Sequence, residues 1–534
     1  MAQGTISYYT AFFPLVNLIV FPSFFGKNLA IPILFGYDKI CKIVSLETKE
    51  KNKKERKNPM DKFFNIRQSG STVRTEIMAG LTTFFAMAYI VFVNPNQVAA
   101  EGANGWLAGL GGDPVALGQI WNAVFVASIL AAALGTLLYA LYAKLPYAQA
   151  CGMGLNAFFC TCFVSGAHFA GVDVMTGYQS GLVIIFVSGL IFLVLSVTGA
   201  REYIAKAMPE CLKKAISAGI GLFIAFLGFQ NAGVIQANQY TLVQFVDIAG
   251  GTKATIVPAL VALGGLLVIA ILEKLKVKGS VLLGIVASAV AYYMAMGAVP
   301  SFDMSQIGQS FVDFSKYGIS ALLNGEAWGA AFNGAHIGGI FSALMLILTF
   351  CLVDMFDTIG TLYGAASQAN MLDENGDPIK INKAMACDSV ATVAGSVFGT
   401  STCTTFVESA AGVAAGGRTG LTSLTTAICF LLCLPLSPIA SIVPSCATAP
   451  ALIYVGVLML KNFAKVDMDD LRSAVPAFLT LVMMPLTYSI SNGIGIGAIA
   501  YVIMTVCTGK FQKKDIMVTV IAALFVLKFI FITM

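Results

Sequence analysis

Three carboxylates mark where this chain could do chemistry. Asp354 and Asp357 stand in FSALMLILTFCLVDMFDTIGTLYGAA, and Glu408 stands in STCTTFVESAAG. Both stretches are apolar enough to lie in a bilayer. A charge at mid-depth there costs roughly 2.5–3.5 kcal/mol even on the gentlest scale. Three such residues with small and hydroxyl neighbours point to handling of a polar solute or a proton. On a helix, Asp354, Asp357, Thr358 and Thr361 share one face at spacings of three and four, opposite an apolar face. Such a stripe faces a protein interior or a wet cavity. Gly360 is expected to loosen the helix beside it. The plainer alternative is that the aspartates brace a packed helix end, and one of them can be structural while the other is functional.

Around Glu408, Thr and Val favour an extended backbone, and the small residues that follow permit a half-helix. Its positive end would face the middle of the membrane. Glu408 there could bind an N–H-rich ligand or carry a proton; pairing with Arg418 or with another helix is the plainer alternative. The first half of the chain offers CGMGLNAFF. Asn156 supplies a donor and an acceptor, as recognition of a nucleobase amide requires. Gly152 and Gly154 permit close backbone approach. Phe158 and Phe159 could stack on a planar ring, where base–aromatic contacts are worth about 1–3 kcal/mol, although packing is the commoner use of such rings.

These residues need a membrane scaffold, and the composition supplies one. Of 534 residues, 57% are hydrophobic and 11% charged, against about 25% charged in soluble domains. Mean hydropathy is +0.83. Apolar runs near the roughly 20 residues that span a bilayer as helix recur from Ile77 to Phe531. They fall near 77–98, 119–143, 149–166, 176–198, 212–233, 255–272 and 279–299. After a polar stretch come 337–367, 383–400, 404–416, 419–435, 447–463, 473–490 and 492–508. A last apolar segment, 516–533, is either an extra helix or one lying on the membrane surface. A β-barrel is disfavoured, because alternating short segments are lacking.

The basic residues test this count. Lys144, the Arg201–Lys214 group, Lys274–Lys278, Lys380 with Lys383, Arg418, Lys461 with Lys465 and Lys510–Lys514 all fall on one side, and chiefly Lys253 and Lys316 on the other. That is the positive-inside pattern for fourteen crossings. The net charge of +5 thus reads as orientation, not as nucleic-acid binding. Two successive sets of seven have opposite topology, the inverted repeat of many transporters, and each set has a short third segment rich in small residues. The 12 cysteines show no CxxC, only two histidines (His168 and His336) are present, and neither HExxH nor GxxxxGK[ST] occurs. No metal, cofactor or ATP-driven step is expected. Residues 1–59 differ from the rest: a short apolar stretch broken by Pro14 and Pro22, then the charged LETKEKNKKERKNP before Met60. A translation start placed too far upstream is the favoured explanation, with a genuine membrane-associated extension as the alternative.

RTEIMAGLTTFFAMAYIVFVNP, GMGLNAFF, DMFDTIGTLYG and TTFVESAAGVAAGGRTGLTS together resemble the AzgA-like purine permeases of the nucleobase–cation symporter-2 (NCS2) family, in the family's order, from about Met60 to the C-terminus. The resemblance implies an all-α polytopic protein, a 7+7 inverted repeat with uracil-permease-like core and gate domains. Segments 3 and 10 would begin with short strands that meet at mid-membrane. The first repeat would be 60–299, the connection 300–336, the second repeat 337–508, and 509–534 a basic loop and apolar helix. Binding positions implied are Asn156, Asp354 and Glu408, with Phe158 alongside. Glu408 and Asp354 are the proton-coupling candidates, and Asp357, Thr358, Thr361 and Gly154 are supporting. Adenine, guanine and hypoxanthine, taken up with protons across a bacterial cytoplasmic membrane, are the implied substrates, and the resemblance leaves room for a homodimer. Family members often carry Pro where this chain has Cys151. Rival readings are a same-fold transporter of uracil, xanthine or an anion, and an intramembrane aspartyl protease in which paired aspartates share a proton. The protease needs one aspartate on each of two helices and a GxGD motif that is missing.

Overall fold

Helix signals in the sequence are met by real caps. In the computed structural model, Thr72 accepts from Thr75 N–H to open α1 (Val73–Met87), and α2 (Ile90–Val98) continues that span. Asp113 accepts from Val115 N–H, with Pro114 in the first turn of α3 (Pro114–Leu138). Both caps satisfy donors a helix start leaves open. The structure describes residues 59–534 except 101, 103–105, 110, 166–171, 199–207, 333–338, 370, 375–377 and 532–534. The expectations for residues 1–58, His168, His336, Arg201 and Lys206 lie outside the described residues.

Beyond α3 the chain forms β1 (Gln149–Cys151), α4 (Met153–Phe159), α5 (Val174–Thr198) and α6 (Glu210–Asn231). Strands β2 (Ile235–Asn238) and β3 (Leu242–Phe245) precede α7 (Lys253–Lys274) and α8 (Ser280–Met296). Then come α9 (Ser305–Asp313), α10 (Gly325–Phe332), α11 (Ile340–Ala369) and α12 (Ile381–Phe398). Strand β4 (Cys403–Thr405) leads into α13 (Ser409–Ala414), α14 (Gly420–Leu431), α15 (Ser445–Leu460), α16 (Leu471–Leu486), α17 (Ile490–Cys507) and α18 (Asp515–Phe531).

Among the described residues, eight helical stretches are long and apolar enough to cross a membrane. A ninth is added if the bent pair Gly420–Leu431 and Leu434–Ala440 is one span. Met153–Val164, Ser280–Met296 and Leu471–Leu486 are shorter apolar helices. Helices α6, α7, α15, α16 and α17 pack on one another, whereas α1, α3, α5, α12 and α14 form a second packed group.

Two local expectations are corrected, and two features are new. The first span breaks at Ala88–Tyr89, and Pro95 lies inside α2. Gly360 does not interrupt α11, which runs unbroken through Ile340–Ala369. Residues 300–336 are not merely a polar link, because α9 packs on α3 and Asn122 Nδ2 donates to the buried Asp313 at 2.7 Å. The β2–β3 hairpin was not foreseen.

Candidate functional site

The two halves of the chain meet at two short strands. β1 and β4 pair antiparallel, with Gln149 opposite Thr405, Ala150 opposite Thr404 and Cys151 opposite Cys403. Flanking bonds run from Phe406 N–H to Ala148 O and from Gly152 N–H to Thr402 O, both 3.0 Å. The ladder therefore uses positions 148, 150 and 152. The alternating pattern of an antiparallel pair turns the N–H groups of 149 and 151 away from it. Gln149 N–H accordingly donates to Thr136 Oγ1 at 3.0 Å. Each strand runs into a short helix, α4 or α13.

Around this crossing the acidic residues divide. Glu408 stands at the start of α13, half-buried, and Tyr89 donates to its Oε1 at 2.7 Å. It does not pair with Arg418, whose Nη1 donates instead to Val413 O and Gly417 O at 2.7 Å each. Asp357 is also half-buried. Its Oδ2 lies 3.8 Å from the place a Cβ on Gly152 would occupy. Glu408 is close enough to act electrostatically on Asp357.

Asp354 is placed differently. It is 1% exposed, and the Thr392 hydroxyl of α12 lies 2.9 Å from its Oδ2. That hydroxyl also lies 3.0 Å from Cys403 O and accepts from Cys403 N–H at 3.2 Å. Asp354 therefore braces β4 against α12. Thr358 turns the same way, donating to Asp388 Oδ2 at 2.5 Å and lying 2.9 Å from Thr404 Oγ1. Thr361 donates back to Asp357 O at 3.0 Å. The single expected face is really two adjacent rows, 354/358 and 357/361, as a 3.6-residue turn produces.

Three first-half positions are held within the protein by hydrogen bonds or packing. Asn156 is fully buried, and its amide donates to Asn94 Oδ1 and accepts from Ser401. One N–H and one lone pair of its amide are thus taken by the protein. Phe158 is 1% exposed and packs on Phe350 at 5.0 Å between ring centroids, so it fills the core. A Cβ on Gly154 would lie 2.6 Å from Ile220 Cγ2, so this glycine admits α6 and not a ligand.

Several contributors were missed by sequence reasoning. Asp388 is fully buried, accepting from Thr358 and from Gln149 Nε2 at 3.1 Å. It is another acid within an apolar segment, and the cost argument that found Glu408 finds it too when applied to 383–400. Tyr89 and Thr392 carry no such signal, because a hydroxyl on an apolar helix is common. Among the described residues, no group of His, Cys, Asp and Glu could hold a metal ion.

Comparison with known proteins agrees with this architecture. Residues 74–496 match the Permease family. The chain is 44% identical over 475 residues to the guanine/hypoxanthine permease PbuG of Bacillus subtilis (strain 168), covering 89% of this chain and 100% of that one. It is 37% identical over 480 residues to the adenine permease AdeP of Escherichia coli (strain K12), covering 89% and 96%. In fold it is similar to the transmembrane domain of a cyanobacterium bicarbonate transporter, BicA, at a TM-score of 0.53 and 15% identity, over 78% of this chain and 97% of that one. With its apolar spans and its match over most of its length, the chain belongs to the Permease family: it is a multi-pass membrane transporter of the purine-permease type that its motifs resemble, and not an enzyme.

Proposed function

We propose that the protein imports purine nucleobases, namely adenine, guanine and hypoxanthine, by proton symport with alternating access. The carrying observation is the pair Asp357 and Glu408, two part-exposed carboxylates beside the β1–β4 crossing, Glu408 at the start of α13 and Asp357 Oδ2 3.8 Å from the place a Cβ on Gly152 would occupy. A purine presents ring and exocyclic N–H groups, and an ionised carboxylate accepts without donating. The relatives named for guanine/hypoxanthine and adenine support that substrate class.

In this reading Asp357 and Glu408 hold the N–H edge, and Tyr89 orients Glu408. Asp354, Asn156, Thr358 and Phe158 support the scaffold. The membrane elements form two sets of seven, with β1–α4 as the third segment and β4–α13 as the tenth. The group α6–α8 and α15–α17 serves as the gate, and the remaining spans form the core. A proton shared by the Asp357–Glu408 pair lowers the cost of carrying two acids and a neutral base past lipid-facing apolar surface.

Proteoliposomes with an imposed pH gradient test the reading. Radiolabelled hypoxanthine should accumulate only with the gradient, and excess adenine or guanine should compete where uracil and xanthine do not. Equal uptake without a gradient would refute the coupling. Competition by uracil but not by purines would refute the substrate class.

A further inference from the structure

Helix α18 carries a lysine where its pattern calls for an apolar residue. Val518, Ile521, Ala522 and Phe525 form its buried face, at the spacings of one helical stripe. Lys528 continues that stripe and is 2% exposed. A lysine near the end of an apolar helix ordinarily extends its ammonium to water. This one turns inward. Its Nζ donates to Ser491 Oγ at 2.5 Å and to Asn492 Oδ1 at 3.5 Å, both in the first turn of α17. At the other end of α18, Asp515 accepts from the Tyr501 hydroxyl of α17 at 3.1 Å. Between the two, a Cβ on Gly495 would lie 2.6 Å from Phe525 Cδ1. The pairs 515–501, 525–495 and 528–491 run in opposite order along the two helices. Helix α18 therefore returns antiparallel along α17, which is itself long and apolar enough to cross a membrane.

The lysine reaches further than its own contact. Ser491 Oγ lies 3.3 Å from Thr349 Oγ1 of α11. The single hydroxyl proton of Thr349 goes to Met345 O at 2.8 Å, so Ser491 is the donor between the two hydroxyls. An ammonium only donates, so Lys528 occupies a lone pair of Ser491 and leaves the serine proton for Thr349. The chain runs one way, from Lys528 to Ser491 to Thr349 to Met345 O. A cationic donor at its head polarises the hydroxyl it binds and strengthens the next bond. Lys528, Ser491 and Thr349 are all buried, which limits competition from water.

We infer that Lys528 is a positioning residue: by directing the Ser491 hydroxyl at Thr349 it fastens α17 to α11 in this conformation. In the transport reading α17 belongs to the gate and α11 to the core, and the inference rests on that reading for its effect on uptake. A contact between gate and core has to open in every cycle, and such conformational steps often set the turnover of the whole. The stronger the chain, the more slowly the core leaves this conformation. Lys528 acts here through Ser491 and not on the carboxylates, so it alters the rate and leaves the affinity for the base alone.

The test is hydrogen exchange by mass spectrometry on the purified full-length chain. It is followed in the α11 peptide around Thr349, a segment outside the hydrogen bonds of Lys528 itself. Lys528→Met keeps most of the stem and removes the donor, whereas Ser491→Ala removes the relay. We expect each to speed exchange in that peptide about threefold to tenfold. The double variant should be no faster than either single one, and Lys528→Arg, which keeps a cationic donor, should stay within about twofold of wild type. A lysine that merely docks α18 would loosen α17 and α18 alone, and the two losses would add. If Lys528→Met does not purify, Lys528→Gln, one bond shorter, replaces it. In proteoliposomes the saturated rate of hypoxanthine uptake by Lys528→Met should rise about threefold or more, with KM within about twofold of wild type. Unaltered exchange in α11, additive effects, or a saturated rate that does not rise would overturn the inference. A wild type that takes up no hypoxanthine defeats the transport reading instead, and the exchange result still decides whether Lys528 fastens α17 to α11.

Discussion

Replacing Asp354 and Asp357 by Asn, one at a time, separates two kinds of carboxylate three residues apart. Asp354 is 1% exposed, with the Thr392 hydroxyl 2.9 Å from its Oδ2. Asn offers one acceptor oxygen and an NH2 group in place of two acceptors. Either orientation therefore mismatches part of that bracing contact. A buried polar mismatch costs about 1–3 kcal/mol, so Asp354→Asn should melt earlier and reach the membrane in smaller amount. Transport per folded molecule should stay near wild type. Asp357 is half-buried, and its loss removes little packing. Its variant should keep stability within about 0.5 kcal/mol of wild type. It should lose a charge-assisted bond to the base of about 1.5–3 kcal/mol, or roughly ten- to a hundredfold in apparent affinity. The assay pairs melting of purified protein with concentration-dependent uptake of radiolabelled hypoxanthine, normalised to folded protein. A stable Asp354→Asn without transport, beside an active Asp357→Asn, would refute the division.

Further outcomes follow from the same geometry. Tyr89→Phe removes the 2.7 Å donor to Glu408 and should raise the uptake KM roughly tenfold, with little change in Tm. Gly154→Ala sets a methyl 2.6 Å from Ile220 Cγ2; it should cost about 1–3 kcal/mol, measured by melting, and Ile220→Ala should recover most of that loss. Cys151→Pro should be tolerated, because the N–H of position 151 is not in the β1–β4 ladder, whereas Ala150→Pro should cost about 3 kcal/mol or more; similar melts for the two would show the register to be wrong. Glu76→Gln disturbs a carboxylate holding two backbone N–H groups and two hydroxyls, and it should lower Tm by the equivalent of about 1.5–3 kcal/mol without changing KM.

The membrane class and most helical spans were legible in the sequence, because runs near 20 apolar residues can do little else. Glu408 also stands out in the sequence, since a carboxylate in an apolar segment is expensive. The assignment of roles within DMFD was not. Helical spacing says that residues three and four apart are neighbours, but it does not say which row meets α12 and which meets open space. Asn156 shows the same limit: an amide fit for a base is equally fit for Asn94 and Ser401, and only packing reveals which it serves.

The β1–β4 pairing also shapes how the protein must be made. Gln149–Cys151 waits for Cys403–Thr405, about 250 residues later; at roughly 5–20 residues per second, that is tens of seconds of synthesis. Throughout, this strand edge has no chain partner, and in the proposed arrangement it lies at mid-membrane, where hydrocarbon does not tolerate open backbone groups. The nascent first half must therefore keep this segment in water or in the insertion machinery until the second half arrives. Stalled or truncated chains would expose that edge, and they should be the forms that quality-control proteases remove first.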